Sequence, residues 1–232
     1  LEVDLVEEAA RHYGYEKMPA TIFPIRVNDA VFAARDRTKE EIRGVLAGAG
    51  LQEVINFNFV QEEDAALLGT DPQELVAVLN PMSNDQKLLR SSLLPNLIKN
   101  IRTNAGLGER NLGLFELGKV FSGKTPAITE ELRLGVALWG RAEELSWRLP
   151  EGRAWDFYDL TGLLELLLAV FKVKGGLKAT RTAVDGFHPG RTATLAAAGT
   201  VLGMAGELHP AVMKELDLPG KILMMEVSLP AL

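Results

Sequence analysis

The amino-acid sequence predicts an α+β fold, a mostly antiparallel sheet with helices packed on one side. Three observations predict it. Hydrophobic residues make up 47% of the 232 residues, enough for a sizeable buried core. Helical and strand-like segments are mixed without the regular strand–helix–strand order of a parallel sheet. No internal repeat or low-complexity segment is present, which argues against a solenoid or a disordered chain.

The first part of the chain predicts two helices joined by an extended linker. Residues 4–13, "DLVEEAARHY", have helical character, and Gly14 stands just past their end. Residues 18–29 contain two prolines and are interpreted as the linker. A T-x-x-E capping box at 38–41 predicts the start of the second helix, which Gly50 ends. Its apolar positions form one stripe: Ile42, Val45, Leu46 and Ala49.

Residues 53–60, "EVINFNFV", alternate strictly between apolar and polar or smaller side chains. This period predicts a strand with one buried face, on which Ile55, Phe57 and Phe59 lie together. The later elements are expected in this order: a short helix at 61–69, a strand at 74–80, a loop at 80–85, a helix at 93–104, strands at 112–121 and 131–139, a very apolar helix from Leu160 to Phe171, strands at 177–184, 191–198 and 200–206, a short helix after His209, and a strand at 221–228.

The composition excludes several classes of function. The formal charge is −6, whereas a domain that binds phosphate backbones by itself usually has a basic face, so autonomous nucleic-acid binding is disfavoured. The chain has no cysteine and only three scattered histidines, which excludes disulfides, thiol catalysis and the usual zinc sites. The longest apolar run is interrupted by Glu165 and is too short to cross a bilayer. No secretory leader opens the chain, and Leu1 falls within a helical pattern, so we expect a fragment of a longer cytoplasmic protein.

The stretch "GKVFSGKT", Gly118 to Thr125, fits the phosphate-loop pattern G-x-x-x-x-G-K-[ST]. A phosphate loop requires a strand, a glycine-rich turn and then a helix whose N-terminus faces the phosphates. Here the spacer residues continue the preceding strand, and Pro126 is followed by another strand-like segment. The missing helix favours a strand that ends in a Ser-Gly turn over an ATP site, although both interpretations stay open.

Two further polar groups invite a functional interpretation. His188 and His209 both precede proline, and turns that bound strands are favoured over a pair of catalytic bases, because no nucleophile motif lies near them. Asp4, Glu7 and Glu8 are spaced i, i+3, i+4 and share one helical face. Such carboxylates serve either as an acidic first turn that the helix dipole favours or as ligands of a hard cation such as Mg²⁺. The residues alone favour the first.

Several segments resemble one family, the beta chain of bacterial phenylalanyl-tRNA synthetase. They occur in the order of the family and cover nearly the whole chain, and the ordered set is specific although no single segment is. The segments are "DLVEEAARHYGYEKMP" (4–19), "GLQEVINFNFV" (50–60), "LNPMSNDQKLLRSSLLPNLIKN" (79–100), "LFELGKVF" (114–121), "WDFYDLTGLLELLL" (155–168), "FHPGRTATL" (187–195) and "GMAGELHPAVMKELDL" (203–218).

The resemblance implies a fold like the catalytic domain of a class II aminoacyl-tRNA synthetase over residues 20–232, preceded at 1–19 by the end of a small helical domain. Working class II sites hold the anionic phosphoryl group with arginines, one from F-R-x-E and one from G-x-G-x-x-R. After Phe121, Ser122–Lys124 stand where R-x-E should follow, and residues 221–232 contain no arginine. The resemblance therefore implies no catalytic residue in this core and no ATP bound by it; the whole ligase uses ATP.

The resemblance also implies partners. These are the alpha chain of the same ligase in an (αβ)₂ heterotetramer and, through the full-length enzyme, tRNA(Phe). Ile42, Val45 and Leu46 lie in the region that builds subunit contacts in this class, although the same stripe could instead cover the domain's own sheet. Asp4, Glu7 and Glu8 match three positions of a Mg²⁺ site whose fourth aspartate would lie before Leu1, so we expect an incomplete site.

Three hypotheses follow from the sequence. The chain is a non-catalytic structural core of the ligase's beta chain, an independent ATP-using enzyme with its site at Gly118–Thr125, or a stand-alone nucleic-acid-binding module. The charge balance disfavours the third. The first is the only one that requires an alpha-chain partner.

Overall fold

A computed structural model describes most of the chain, and the described part divides into two compact units, residues 1–37 and 38–232. The second unit carries the sheet, whereas the sequence prediction placed the start of the core at residue 20. The predicted linker at 18–29 falls partly outside the described residues. The residues described are 1–22, 24, 34–124, 126–143, 147, 150 and 152–229.

The predicted helices form, and several of their boundaries differ from the prediction. The second helix begins at Ala34, so Thr38 lies inside it and the capping-box prediction is wrong. The most apolar helix is N-capped by Asp156, whose carboxylate accepts hydrogen bonds from two backbone N–H groups of the first turn. The α-helices in the described residues are α1 (Glu2–Tyr13), α2 (Ala34–Gly48), α3 (Glu62–Ala66), α4 (Leu94–Gly106), α5 (Phe157–Val170) and α6 (Pro210–Glu215).

The main sheet of the described residues has seven strands in the order β1-β5-β6-β12-β11-β10-β9. Only the edge pair β1–β5 is parallel, so the prediction of a mostly antiparallel sheet is confirmed. Small sheets β2-β4-β3 and β7-β8 accompany it. The strands are β1 (Gln52–Glu53), β2 (Phe59–Val60), β3 (Val76–Ala77), β4 (Leu88–Leu89), β5 (Leu112–Lys124), β6 (Ala127–Trp139), β7 (Arg141–Glu143), β8 (Arg153–Ala154), β9 (Leu177–Arg181), β10 (Phe187–Ala197), β11 (Thr200–Leu208) and β12 (Ile222–Ser228).

The predicted strand at 53–60 is wrong in one respect. The chain forms β1 and β2 in two different sheets, and between them Ile55 and Phe57 are 89% and 79% exposed. Asn56 is half-buried and donates to Glu116, whereas Asn58 is exposed and accepts from Arg90 through its Oδ1. The predicted burial of Ile55 and Phe57 is therefore wrong, and the alternation breaks where Phe57 and Asn58 are both exposed.

Helices cover both faces of the main sheet, so the expected packing on one side is wrong. Ile42 of α2 and the leucines of α5 share one buried cluster with β6, β11 and β12. Leu97 of α4 and Met213 of α6 belong to the cluster on the opposite face. Burial of apolar surface at about 25 cal/mol per Å² makes these two layers the main stabilising contribution. Among the described helices, none is long and apolar enough to cross a membrane.

Candidate functional site

Five charged side chains lie on the sheet face that carries α4. We call this group the polar sheet face. Strand pairing brings its strand members together, because Glu116 of β5 and Glu226 of β12 both pair with Gly135 of the intervening strand β6. A Cβ at Gly135 would lie 2.9 Å from the side chain of Leu97, so a glycine there lets α4 pack closely onto the sheet. The members of the polar sheet face are Arg90, Glu116, Glu131, Arg133 and Glu226.

Arg90 is the most buried cation of the group, 1% exposed. Its Nη1 donates to Glu116 Oε1 at 2.8 Å, and its Nε donates to the carbonyl of Lys119 at 3.0 Å. A third bond runs from Nη2 to Asn58 Oδ1 at 3.3 Å. Gly118 lies beneath the guanidinium, and a Cβ there would come within 2.4 Å of Nη2. The arginine is fully engaged within the fold.

Glu116 connects the polar sheet face to the edge of the sheet. Its Oε2 accepts from Asn56 Nδ2 at 2.8 Å, and its Oε1 accepts from the backbone N–H of Asn56 at 3.3 Å. The Asn56 amide also exchanges hydrogen bonds with Asn100 of α4. A buried carboxylate is stable only when such donors satisfy it, so these contacts fix the segment between β1 and β2.

Glu226 connects the N-terminal end of α4 to the middle of the sheet. Its Oε1 accepts from the backbone N–H of Leu93 at 2.6 Å and from Ser92 Oγ at 3.0 Å. Its Oε2 accepts from Arg133 Nη1 at 2.8 Å. The other edge of the Arg133 guanidinium donates to Glu131 Oε2 at 2.6 and 3.0 Å. Both sides of this arginine are therefore occupied by carboxylates.

The Arg133 contacts shift two ionisation equilibria. Burial raises the pKa of the Glu131 carboxyl, but hydrogen bonds from Arg133 and Ser228 and the charge of Arg133 outweigh it, so the pKa is lowered. Burial lowers the pKa of the Arg133 guanidinium, and its bonds to Glu131 and Glu226 outweigh that effect and raise it. Both groups are held in their charged forms at neutral pH.

The polar sheet face contains two cations and three carboxylates, a formal charge of −1. Each arginine is already paired with a carboxylate of the same chain. A nucleotide phosphate placed here would have to displace these partners and would meet a net negative field. The arrangement is suited to fastening strands and helix together and not to binding an anion.

The phosphate-loop interpretation of Gly118–Thr125 lacks its structural context. β5 continues through Lys124, beyond the end at 121 that the sequence predicted, and β6 begins at Ala127. The two strands pair directly as a hairpin, so no helix N-terminus follows the lysine. Thr125 itself lies outside the described residues. The strand alternative is confirmed, although its turn comes after Lys124 and not at Ser122 and Gly123.

Asp4, Glu7 and Glu8 of α1 do not form a cation site with other described residues. Asp4 Oδ2 accepts from the ammonium of Leu1 at 2.9 Å, and Glu8 Oε2 accepts from Arg11 Nη2 at 2.5 Å. No group of three or more histidine or acidic side chains that could hold a metal occurs within the described part of the chain. Asp4, Glu7 and Glu8 do not form a complete site by themselves, and a Mg²⁺ role for them stays a prediction.

The apolar stripe of α2 lies against the chain's own sheet. Ile42 and Leu46 are 0% exposed and belong to the buried cluster shared with α5, and Val45 is partly buried against the same cluster. A side chain without accessible surface cannot contact another subunit in this conformation. The subunit contact that the resemblance implies for Ile42, Val45 and Leu46 stays a prediction, and of the three only Val45 retains any surface for it.

The two histidines have structural roles. His209 is the N-cap of α6, where its Nδ1 accepts from the backbone N–H of Ala211 at 3.1 Å. His188 Nδ1 accepts from the backbone N–H of Gly190 at 3.0 Å. His209 lies just after the end of β11, as predicted. His188 lies inside β10, at a shift of its register with β11, so the predicted turn there is wrong.

Sequence reasoning missed the polar sheet face. The signal was present: Glu116 in "LGLFELG" and Glu226 in "ILMMEVS" are lone acids in otherwise apolar strands, and Arg90 follows "KLL". A charge in a buried strand needs a partner. The pattern does not say which partner, because the two members of the Arg90–Glu116 pair are 26 positions apart in the chain.

Comparison with known proteins identifies relatives over almost the whole chain. A family model described as "Phenylalanyl tRNA synthetase beta chain CLM domain" matches residues 18–229. The phenylalanine–tRNA ligase beta subunit of Syntrophus aciditrophicus is 36% identical over 100% of this chain and 29% of its own length. That of Geobacillus kaustophilus is 33% identical over 94% of this chain and 27% of its own length. The chain thus spans less than a third of these relatives.

Two solved structures with a similar fold are pyrrolysyl-tRNA synthetases. A pyrrolysyl tRNA synthetase of Desulfitobacterium hafniense superposes with a TM-score of 0.62 over 84% of this chain and 64% of its own chain. The sequence identity is 16%, so this likeness shows the fold alone. It confirms the class II synthetase-like architecture.

Proposed function

The chain belongs to the family of phenylalanyl-tRNA synthetase beta chains, and on that premise we propose that it is a catalytically degenerate structural core of the ligase. One observation carries the proposal: the cations of the polar sheet face are already neutralised by carboxylates of the same chain. Because the chain covers less than a third of its relatives, the activity of the whole ligase, the joining of phenylalanine to tRNA(Phe) with ATP, is part of the proposal.

The residues at the class II positions support the absence of ATP chemistry. Ser122, Gly123 and Lys124 occupy the end of β5 and are exposed, where the family of working enzymes has an arginine and a glutamate. Lys124 is a point charge without the planar fork of a guanidinium, and it cannot grip two phosphate oxygens as arginine does. We expect the active site of the ligase to lie in the alpha chain.

We propose that the alpha chain packs on the edge of the sheet beside β1, within the (αβ)₂ assembly. Ile55 and Phe57 lie there with most of their surface exposed. Asn56 and Asn58, between and beside them, are fastened to Glu116 and Arg90, so this edge is held in one conformation before any partner binds. Exposed apolar side chains on a pre-organised edge are typical of a protein interface.

The cofactor and the location follow from the same role. We propose that Mg²⁺ binds Asp4, Glu7 and Glu8 weakly at most, because Asp4 and Glu8 already have partners and further ligands would be required. We propose the cytoplasm as the site of action, since protein synthesis takes place there.

Co-purification with the alpha chain tests the proposal. Phe57→Asp should abolish recovery of the complex. Val201→Asp also places an aspartate at an exposed apolar position, but on β11, four strands from β1 in the sheet, and should leave the complex intact. Loss of the complex in both variants, or in neither, would contradict the assigned edge.

Thermal unfolding with ATP tests the degenerate site. We expect no shift of the midpoint on addition of ATP and Mg²⁺. If ATP raised the unfolding midpoint by several degrees and Lys124→Ala removed that rise, the hypothesis of an independent ATP-using enzyme would be favoured again.

A further inference from the structure

A pocket of about 510 Å³ lies at one end of the main sheet, where β5 and β12 begin and β6 ends. Three cations line it: Arg110 precedes β5, Arg141 follows β6, and Lys221 precedes β12. Among the described residues, no aspartate or glutamate lines it. We call it the basic pocket. It is remote from the polar sheet face, whose arginines are paired.

Two contacts fix the backbone beside the arginines. The backbone N–H of Arg141 donates to Asn111 Oδ1 at 2.8 Å. Gly140 has φ +81°, and a Cβ there would lie 2.0 Å from the carbonyl oxygen of Arg110. Only glycine permits this conformation and this close approach. The segments that carry Arg110 and Arg141 are therefore pinned to each other.

The loop that carries Lys221 is held against the end of β6. Trp139 is almost fully buried, and its Nε1 donates to the carbonyl of Pro219 at 2.9 Å. This bond ties the loop before β12, which carries Lys221, to the end of β6. Three segments distant in sequence thus present their cations to one cavity with little backbone freedom, which reduces the entropy lost on binding a ligand.

The three cations are not neutralised by the described part of the chain. Arg90, Arg133, Arg153 and Arg191 each have a carboxylate partner, whereas Arg110, Arg141 and Lys221 have none among the described residues. The chain as a whole has an excess of six negative charges, so the segregation of three unpaired cations in one cavity is unexpected. Like charges so gathered repel each other and attract an anion.

Further basic groups lie beyond Lys221. A neighbouring cavity of about 560 Å³ shares Lys221 and is also lined by Arg181 of β9 and by Arg191. Two carboxylates line it as well: Glu207, which is paired with Arg191, and Asp156, the N-cap of α5. Four strand spacings separate β6 from β9, about 19 Å. Cations over such a length match a chain of phosphates better than a single phosphate.

We propose that the basic pocket binds the phosphodiester backbone of RNA. The guanidinium groups of Arg110 and Arg141 can each donate two parallel hydrogen bonds to phosphate oxygens, and Lys221 adds a point charge. The proposal rests on the proposed function for one point only, that the RNA is the tRNA substrate of the assembled ligase. The net negative charge of the chain disfavours nucleic-acid binding on average, but it does not describe the local charge of this pocket.

The test uses the assembled ligase with Arg110→Gln, Arg141→Gln and Lys221→Gln combined in its beta chain. Three lost phosphate contacts lower the slope of log KM for tRNA against log salt by up to about 2.7. Between about 50 and 200 mM salt, the KM of the wild-type enzyme should then rise about 40-fold more than that of the variant. Phenylalanine-dependent exchange of pyrophosphate into ATP needs no tRNA and should be unchanged.

A matched control replaces Lys99, Lys124 and Lys174, three exposed lysines away from the pocket, by glutamine. It makes the same change in net charge and should leave the salt slope as in the wild type. An unchanged slope in the pocket variant, or an equal loss in the control, overturns the proposal. The proposal is also overturned if the wild-type ligase binds inorganic pyrophosphate, the pocket variant does not, and the two have the same KM for tRNA. That result would assign the pocket to a small ligand.

Two further measurements complete the test. Arg110→Lys with Arg141→Lys keeps the charge and should keep the salt slope, even if the fully neutralised variant assembles poorly. Failure of the proposed function appears separately, as loss of co-purification with the alpha chain, and does not mimic a changed salt slope.

Discussion

Replacement of Arg90 by methionine would remove one half of a buried ion pair. Arg90 and Glu116 are 1% and 2% exposed, so the remaining carboxylate of Glu116 would be buried without its cation. Breaking such a pair on one side costs about 3–5 kcal/mol of unfolding free energy. The exposed pair Lys119–Glu130, whose side chains are 55% and 51% exposed, provides the comparison, because surface pairs contribute about 0–1 kcal/mol.

Urea unfolding of the chain, followed by circular dichroism, measures the difference. Arg90→Met should lower the unfolding free energy by about 3–5 kcal/mol, and Lys119→Met by less than about 1 kcal/mol. For a chain of this size, the first change corresponds to a fall in Tm of about 6–20 °C.

A double variant separates two contributions to the loss of stability: the unpaired buried charge of Glu116 and the lost packing of Arg90. Glu116→Gln neutralises the carboxylate and keeps an acceptor for Asn56, so Arg90→Met with Glu116→Gln should be more stable than Arg90→Met alone. The reasoning is refuted if Arg90→Met costs no more than Lys119→Met, or if the second substitution adds a further loss.

Three other perturbations have defined outcomes. The folded-state pKa of Glu131 is depressed, so its contribution to stability is present above its unfolded value near 4.5 and is lost as pH falls through the folded value; Glu131→Gln should flatten acid unfolding in that range, measured by fluorescence. Asp156→Ala removes the N-cap of α5 and should cost about 0.5–2 kcal/mol in urea unfolding, with Asp156→Asn nearly neutral. Gly203→Ala places a Cβ 2.0 Å from the carbonyl oxygen of Glu226 on the paired strand and should cost about 3 kcal/mol or more; a change below about 1 kcal/mol would contradict that contact.

Some functional features could be predicted and others could not. The absence of an arginine directly after Phe121 and within residues 221–232 can be read from the sequence, because a missing motif needs no fold to be noticed. The basic pocket was not predicted, because Arg110, Arg141 and Lys221 are spread over 112 positions and meet only where three strands end. Net charge was misleading there, since it averages over surfaces that the fold separates.

Local sequence patterns are sufficient to predict the elements that bury a periodic apolar face. The leucines of α5 and the apolar strands β6 and β12 follow from local spacing, because burial of such a face dominates the free energy wherever it packs. The orientation of the segment between β1 and β2 depends instead on contacts between residues distant in the chain. Asn56, which is half-buried, and Asn58, which stays exposed, turn their side chains to Glu116 and Arg90 there. Those two buried charges, distant in the chain, must have hydrogen-bond partners, and the cost of leaving them unsatisfied exceeds the gain from burying Ile55 and Phe57 instead.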